Sequence, residues 1–280
     1  SFRQDVEREA DLAEEVARFY GYNNIEATLL AGKAFGLGKR TYKQKIEDMI
    51  KDVMIATGFY EVCTYSFTSP KVFDAMRLPE DSRLRNAVKI INPLGEDYSI
   101  MRTSTIPDML KVISTNFSRR VEAVKFFELS SVYIADKLPL TELPEERLTL
   151  TLGLYGGCDF YDLKGAVEEL LDALGIRGYG FEPLKDNPSF HPGRTAKLVI
   201  NGRDAGVLGE IHPEVAEEFD CPERTYIGVI EVKPLIDSAS LLAQYMPLPK
   251  FPAVTRDIAL LISDDIMVKS IEEIIYRESG

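Results

Sequence analysis

Four acidic side chains near the start of the chain have the type and spacing of a candidate metal-binding cluster. Asp11 and Glu15 are four residues apart on a predicted helix and share one face, and Glu14 lies one turn from Asp11. Asp5 precedes them in a loop that could fold back toward the helix. Carboxylate oxygens are the ligands that Mg²⁺ prefers, so the cluster is a candidate magnesium site. The alternative is a solvated helix with acids at its positive end, where negative charge is favourable.

The two histidines, His191 and His212, are candidate metal ligands or general bases. Each precedes a proline. The alternative is that they cap turns, because chemistry would need a nearby acid or thiol to complete a site. Neither a P-loop nor a GxGxxG motif occurs, and the glycine-rich segment at 153–157 follows a predicted strand and is interpreted as a turn.

Two groups of basic residues could contact RNA phosphates. The first lies at the end of a predicted helix: Lys111, Arg119, Arg120 and Lys125. The second lies in a glycine-rich segment: Lys33, Lys39, Arg40, Lys43 and Lys45. The alternative is a solvated helix end with a favourable dipole. The chain has 45 acidic and 33 basic residues, a formal net charge of −12, which argues against non-specific coating of nucleic acid.

The elements that must position these residues are predicted from hydrophobic periodicity. Helices are predicted at 11–20, 42–53, 106–117, 163–174 and 267–276. Strands are predicted at 59–67, 88–91, 124–134, 148–154, 196–200, 205–211, 224–232 and 255–262. The strict alternation at 148–154 predicts one buried face, and Asn201-Gly202 predicts a tight hairpin. Strands outnumber helices, which favours an α+β fold with an antiparallel sheet and helices packed on it.

The domain organisation is predicted from length and from two linkers. The 280 residues favour about two domains. A glycine-rich linker is predicted at 28–40, and a second, proline-rich one contains Pro247, Pro249 and Pro252. Three widely spaced cysteines suggest a reducing cytoplasm, and no apolar run reaches the roughly 18 residues of a membrane span. Because the chain lacks an initiator methionine and ends just after a helical pattern, we expect a fragment of a longer protein.

The ordered set of segments resembles the bacterial-type phenylalanyl-tRNA synthetase β-subunit family, in its C-terminal half. Residues 1–32, with RQDVEREADLAEEVARFYGYNNI, resemble the end of the family's small DNA-binding-like domain. Residues 41–240, with FYEVCTYSF, NPLGEDYSIMRTSTIPDMLKVISTN and FFELSSVY, resemble its non-catalytic, class II synthetase-like core. Residues 250–280, with FPAVTRDIALLI, resemble the start of its ferredoxin-like anticodon-binding domain.

The resemblance implies a subunit of an ATP-dependent ligase that charges tRNA-Phe with phenylalanine. It implies an α₂β₂ tetramer whose α subunit holds the active site and uses ATP. This chain would bind no ATP, would dock the α subunit and would help place tRNA. It implies that Asp5, Asp11, Glu14 and Glu15 are Mg²⁺ ligands at a site shared with the α subunit. Editing would belong to a domain upstream of this segment.

Two positions test the non-catalytic interpretation. A working class II site needs an arginine two residues before the glutamate of its second motif, whereas here Phe126 precedes Glu128 at that distance. The third motif needs an arginine, and Gly228–Lys233 contains none. Two alternatives stay open: a class II-like ligase for a small molecule, and a stand-alone RNA-binding module. We expect the surface that faces the α subunit to lie near 92–116 and to include an exposed apolar patch.

Overall fold

The computed structural model describes residues 2–29, 32, 38–245, 247–248, 250–252, 254–263 and 266–278. The chain divides into two units, Ser1–Ala239 and Ser240–Gly280. The described part of the second unit contains a single helix. Lys33 and Pro249, which the sequence predicts to lie in a basic patch and a linker, fall outside the described residues.

The described residues form eight α-helices and nine strands. The helices are α1 Glu9–Tyr20, α2 Tyr42–Ala56, α3 Val72–Ala75, α4 Ile106–Ser118, α5 Phe160–Ala173, α6 Pro213–Glu218, α7 Val232–Ser238 and α8 Val268–Glu278. The strands are β1 Tyr60–Glu61, β2 Phe67–Thr68, β3 Ile100–Met101, β4 Val124–Ile134, β5 Glu145–Tyr155, β6 Tyr179–Pro183, β7 Phe190–Ile200, β8 Arg203–Ile211 and β9 Tyr226–Glu231.

Seven strands form the main sheet in the order β1-β4-β5-β9-β8-β7-β6. The β1–β4 pair is parallel and the other neighbours are antiparallel, which confirms the predicted α+β layout. β2 and β3 form a separate antiparallel pair. Local sequence signals fix several boundaries. Thr41 and Gln44 form a capping box before α2, and Asn201 and Gly202 have the positive φ angles, 50° and 75°, that a tight hairpin turn requires.

The main sheet is covered on both sides. On one side, called the α5 face here, α2, α5 and α7 bury an apolar cluster that includes Ile50, Phe127 and Leu152. On the other side, called the α4 face, α4 and α6 pack against a second apolar cluster that includes Met109 and Ile227. The alternation of β4, β5 and β9 divides their side chains between these two clusters.

Four sequence predictions about strands were wrong. The segment 59–67 holds only the short strands β1 and the start of β2, because its middle is hydrogen-bonded to side chains of other elements. Residues 88–91 contribute a single bridge, between Lys89 and Ile100. β5 is buried on both faces from Thr149 to Tyr155, because α4 covers the side predicted to face solvent. Residues 255–262 are not a strand, since a strand needs a hydrogen-bonded neighbour and the described part of the second unit offers none.

Candidate functional site

A buried arginine ties together three segments on the α4 face. The side chain of Arg102, which follows β3, is 1% exposed. Its guanidinium donates hydrogen bonds to the Ser131 carbonyl at 2.9 Å, to Thr64 Oγ1 at 2.8 Å and to the Tyr65 carbonyl at 3.2 Å. It also lies 3.4 Å from Oε1 of Glu128 on β4. Arg102 therefore holds the 64–65 segment against β4.

The Glu128 carboxylate is committed to the chain's own groups. It is 2% exposed and accepts hydrogen bonds from the Thr64 backbone N–H at 3.0 Å and from Thr64 Oγ1 at 2.9 Å. With Arg102 as its cation, this glutamate has the partners that a buried carboxylate needs. Glu128 therefore serves packing of the 64–65 segment and has no free oxygen facing a substrate.

Phe126 lies on the α4 face of β4, two residues before Glu128, and packs against the apolar cluster beneath α4. The helix approaches the sheet closely at the neighbouring strand: a Cβ at Gly153 would lie 2.7 Å from Cγ of Met109. Gly153 is the partner of Phe126 in the β4–β5 register. The place where a class II enzyme needs a phosphate-binding arginine is thus occupied by an apolar ring, beside the strand on which α4 packs.

A small cavity of about 220 Å³ remains elsewhere on this face, below the roughly 300 Å³ at which small-molecule sites begin. Two of its hydroxyl groups donate to backbone carbonyls, Thr103 to Leu84 and Ser189 to Met76, and the Thr105 hydroxyl is paired with that of Thr151. At its mouth Arg147 pairs with Glu145 at 2.7 Å and with Glu231 at 3.6 Å. These hydroxyl and guanidinium donors are therefore already engaged within the chain.

The predicted acidic cluster at α1 is organised around arginines. Arg3 pairs with Asp5 at 2.6 Å and with Glu15 at 2.8 Å, and Arg18 pairs with Glu15 at 2.7 Å. The hydrogen bond from Arg3 lowers the pKa of Asp5 to about 2 and also lowers the pKa of Glu15. Asp5 and Glu15 therefore meet through a guanidinium.

Asp11 has a different role from the one its spacing suggests. α1 begins at Glu9, so Asp11 occupies the third helical position, and its carboxylate reaches back to the backbone N–H groups of Glu7 at 2.8 Å and Arg8 at 2.7 Å. In the sequence, Asp11 followed by Glu14 has the spacing of a capping box that starts at Asp11, but the helix starts two residues earlier. The cap satisfies backbone donors that the helix leaves unpaired.

The acidic cluster has side chains of the right type to bind Mg²⁺, but their arrangement does not suit the ion. Four carboxylates are the donor set that the ion prefers. In the present arrangement, however, Arg3 stands between Asp5 and Glu15, and Asp11 is turned toward the backbone. Among the residues that the structure describes, no group of three or more His, Cys, Asp or Glu side chains could hold a metal ion.

The two histidines have structural roles in turns. His191 Nδ1 accepts a hydrogen bond from the Gly193 N–H at 3.1 Å, and His212 Nδ1 accepts one from the Glu214 N–H at 3.2 Å at the start of α6. Both therefore cap turns, as the alternative interpretation holds. His212 also lies 2.6 Å from Arg77, and burial together with this cation lowers its pKa.

The two basic groups are dispersed. Lys111 pairs with Asp108, Lys125 lies over the Phe59 ring, and Arg119 and Arg120 are exposed at the end of α4. In the second group, Arg40 pairs with Asp48 and Lys43 with Glu47. Gly156 and Gly157 have positive φ, 89° and 69°, which confirms a turn after β5.

Sequence reasoning missed the polar residues that the fold buries together, namely Thr64, Arg102, Asp108 and Glu128 in this arrangement. Arg102 stands in sequence between apolar positions of β3 and α4, and this position is the one available signal of burial. Its partners come from separations of 26 to 38 residues, which no local pattern reveals.

The sheet and its covering helices define a class II synthetase-like fold. The similar solved structures include the pyrrolysyl-tRNA synthetase of Desulfitobacterium hafniense, with TM-score 0.57 and 16% identity over 69% of this chain and 68% of that one. A second structure of that organism's pyrrolysyl-tRNA synthetase, PylSc, gives TM-score 0.55 at 16% identity over 69% of this chain and 64% of that one. At this identity the likeness concerns the fold alone.

The chain belongs to the phenylalanyl-tRNA synthetase β-chain family: the family model for the CLM domain matches residues 25–232, and that for the tRNA synthetase B5 domain matches residues 1–22. Among curated relatives, the phenylalanine–tRNA ligase β subunits of Clostridium acetobutylicum and Clostridium tetani are each 45% identical over 280 residues. The alignments cover 100% of this chain and 35% of each relative, so the chain spans about a third of their length. Among the described residues, no helix combines the length and apolar character of a membrane span.

Proposed function

We propose that this chain is part of the β subunit of a phenylalanine–tRNA ligase and acts there as a non-catalytic module. The observation that carries the proposal is the internal engagement of the α4 face. Glu128 is held by Thr64 and Arg102, and Phe126 occupies the position at which a catalytic class II domain needs an arginine. Catalysis, ATP and phenylalanine would then belong to the α subunit, and the module would contribute its surfaces to an α₂β₂ assembly.

The surface near 91–98 supports docking of the α subunit. Ile91 and Leu94 are 94% and 79% exposed, and the exposed Tyr65 ring contacts Tyr98 at 5.7 Å between centroids. Exposed apolar groups in one place are typical of an interaction surface. This surface overlaps the 92–116 segment expected to face the α subunit.

Placement of tRNA-Phe is the second part of the proposed role. Arg119 and Arg120 are exposed at the C-terminal end of α4 and can meet phosphate groups without first breaking an ion pair with a described residue. Because the whole chain carries a formal net charge of −12, we assign this contact a supporting role within the assembly, which would work in the cytoplasm. A stand-alone RNA-binding module is the less supported alternative for the same reason.

The Mg²⁺ ligands are proposed as Asp5, Asp11, Glu14 and Glu15, acting only in the assembly. For the ion to enter, Arg3 must leave Asp5 and Glu15, so we place binding after the α subunit has docked. Asp11→Asn keeps an oxygen for the helix cap but removes a charge. We expect Mg²⁺ to raise the melting temperature of the complex, and we expect Asp11→Asn to abolish that rise and to leave the melting temperature of the unassembled chain unchanged. A Mg²⁺ effect that persists in Asp11→Asn would contradict the ligand assignment.

The proposed function is tested by co-expression with the α subunit of a close relative. We expect a stable complex that charges tRNA-Phe and that dissociates when Ile91 and Leu94 are both changed to Asp. The matched control is Leu143→Asp, a change of a 92% exposed leucine outside the surface, which should leave the complex intact. Failure of the unchanged chain to associate with any α subunit would overturn the proposal.

A further inference from the structure

A cavity of about 430 Å³ opens between the 63–67 segment, Tyr98 and α4. Its lining combines an aromatic wall, an ion pair and small polar groups of α4. The lining residues used below are Tyr65, Phe67, Tyr98, Asp108 and Lys111. The cavity adjoins the exposed apolar surface at 91–98, because Tyr98 belongs to both.

Asp108, in the first turn of α4, is a buried carboxylate with incomplete pairing. Its side chain is 8% exposed. Oδ1 accepts a hydrogen bond from Lys111 Nζ at 3.3 Å, whereas Oδ2 has no hydrogen-bond partner among the described residues and lies 3.8 Å from Arg102. Burial raises the pKa of Asp108, which is the expected response of a carboxylate whose charge is only partly compensated.

The charges around Asp108 favour a further cation. The buried groups are the carboxylates of Asp108 and Glu128 and the guanidinium of Arg102, a balance of one excess negative charge. Arg102 donates hydrogen bonds to Thr64 and to two carbonyls and lies closer to Glu128, at 3.4 Å, than to Asp108, at 3.8 Å. The remaining negative charge is balanced only by Lys111, whose side chain is 47% exposed. Because the lysine side chain is flexible, its ammonium group can move away from Asp108 into water.

The aromatic wall suits a planar cation. Tyr65 stacks beside Phe67 at 6.4 Å and meets Tyr98 edge-on at 5.7 Å between ring centroids. Arginine stacks on aromatic faces and presents a fork of donors to a carboxylate, whereas the lysine ammonium is a strongly hydrated point charge. An apolar side chain in the same place would leave the Asp108 charge without a new partner.

We propose that this cavity receives an arginine side chain of the subunit that docks on the 91–98 surface. The arginine displaces Lys111 from Asp108 and lies against Tyr65 and Tyr98. This inference rests on the proposed function, because it names the chemistry by which the same surface selects its partner subunit.

The test compares Asp108→Asn with Asp97→Asn, an exposed acid beside Tyr98, in the complex with the α subunit. We expect Asp108→Asn to weaken the affinity about tenfold or more, since it removes the acceptor of a charge-assisted hydrogen bond, and Asp97→Asn to change it less than threefold. The melting temperature of the unassembled Asp108→Asn chain should be unchanged or higher, because a neutral amide bears less desolvation cost. A merely structural Asp108 would instead lower stability and affinity together, and that result would overturn the inference.

A small-molecule probe separates the sources of the cation. L-argininamide should bind the unassembled chain at millimolar concentration and perturb the Tyr65 and Tyr98 ring resonances, whereas L-citrullinamide, which has the same α-amino group but an uncharged side chain, should not. The assembled complex should bind neither, because the partner's arginine fills the cavity. Binding of L-argininamide to the complex would contradict the inference and indicate a free small-cation site. If the unchanged chain fails to associate with an α subunit, the proposed function fails instead; if it associates and Asp108→Asn has no effect, only this inference fails.

Discussion

The two faces of the main sheet solve the same packing problem differently. The α5 face is filled by leucine, isoleucine and phenylalanine side chains from α2, β4, β5, β9 and α5. The α4 face combines an apolar cluster with buried Arg102, Asp108 and Glu128. The α4 face depends on these buried ionic groups, in which Arg102 pairs with Glu128 and Asp108 is left with one oxygen without a hydrogen-bond partner among the described residues.

The buried charged groups of the α4 face serve packing, as in a scaffold with a synthetase-like sheet. A catalytic face must hold charged groups ready for a ligand. In this chain the charged groups of the α4 face point at Thr64 and at each other, and α4 lies directly on β5 at Gly153. The buried polar groups of the α4 face instead hold the 64–65 segment and α4 in place. Substitutions on one face should therefore have effects that matched substitutions on the other face do not.

The largest effect is expected from Arg102→Ala, which leaves two buried carboxylates without their shared guanidinium. The free energy of unfolding should fall by about 3–5 kcal/mol, measured by urea denaturation. The double variant Arg102→Met with Glu128→Leu removes both charges and should recover most of this loss. A single variant that loses less than about 1 kcal/mol would show that the cluster does not hold the α4 face.

Phe126→Arg tests whether the α4 face tolerates a charged side chain at this position of β4. The guanidinium would enter the apolar cluster beneath α4, so the free energy of unfolding should fall by about 2 kcal/mol in thermal or urea unfolding. Lys125→Arg is the control, because it adds the same group one residue away on the opposite side of β4. Equal stability of both variants would mean that the Phe126 position is open to solvent and not closed by α4.

Glycine substitutions compare the closeness of packing on the two faces. A Cβ at Gly153 would lie 2.7 Å from Met109 Cγ on the α4 face, whereas one at Gly228 would lie 3.3 Å from Leu163 Cδ1 on the α5 face. Gly153→Ala should therefore cost about 1 kcal/mol, because flexible Met109 must shift, and Gly228→Ala should cost less. Paired urea titrations decide the order, and the reverse order would contradict the account of α4 packing.

The smallest effect is a pH dependence specific to the α4 face. Burial raises the folded-state pKa of Asp108, while Lys111 and Arg102 partly oppose the rise and Glu128 adds to it. The folded state therefore binds the proton more readily than the unfolded state, whose carboxyl titrates near about pH 4. Relative to Asp108→Asn, the wild-type chain should lose stability as pH rises from about 4 through the raised pKa. A stability difference that stays flat or grows with pH would contradict the assigned direction.

The sequence predicted the parts of the fold that depend on local periodicity. The bounds of β4, the start of α4 at Ile106-Pro107 and the Asn201-Gly202 hairpin are confirmed. The 59–67 segment was mistaken for one strand because Thr64 is captured by Glu128, 64 residues away, and no local pattern encodes that contact. The sequence motif alone shows that Phe126 stands where a class II enzyme needs a phosphate-binding arginine. The burial of Arg102 and Asp108, in contrast, depends on tertiary packing of α4, β4 and the 64–65 segment. The sequence pattern places Asp11 at the wrong position of the helix cap, because the helix begins two residues before it.

The central claim is that this chain carries a synthetase-like fold without the synthetase reaction. Phenylalanine-dependent ATP–pyrophosphate exchange tests it most directly, with the chain alone, the α subunit complex and the Phe126→Arg chain measured side by side. The account predicts exchange by the complex and only background by the chain alone and by Phe126→Arg, because Glu128 is already engaged and α4 covers the face. Exchange above background by the unassembled wild-type chain would contradict it.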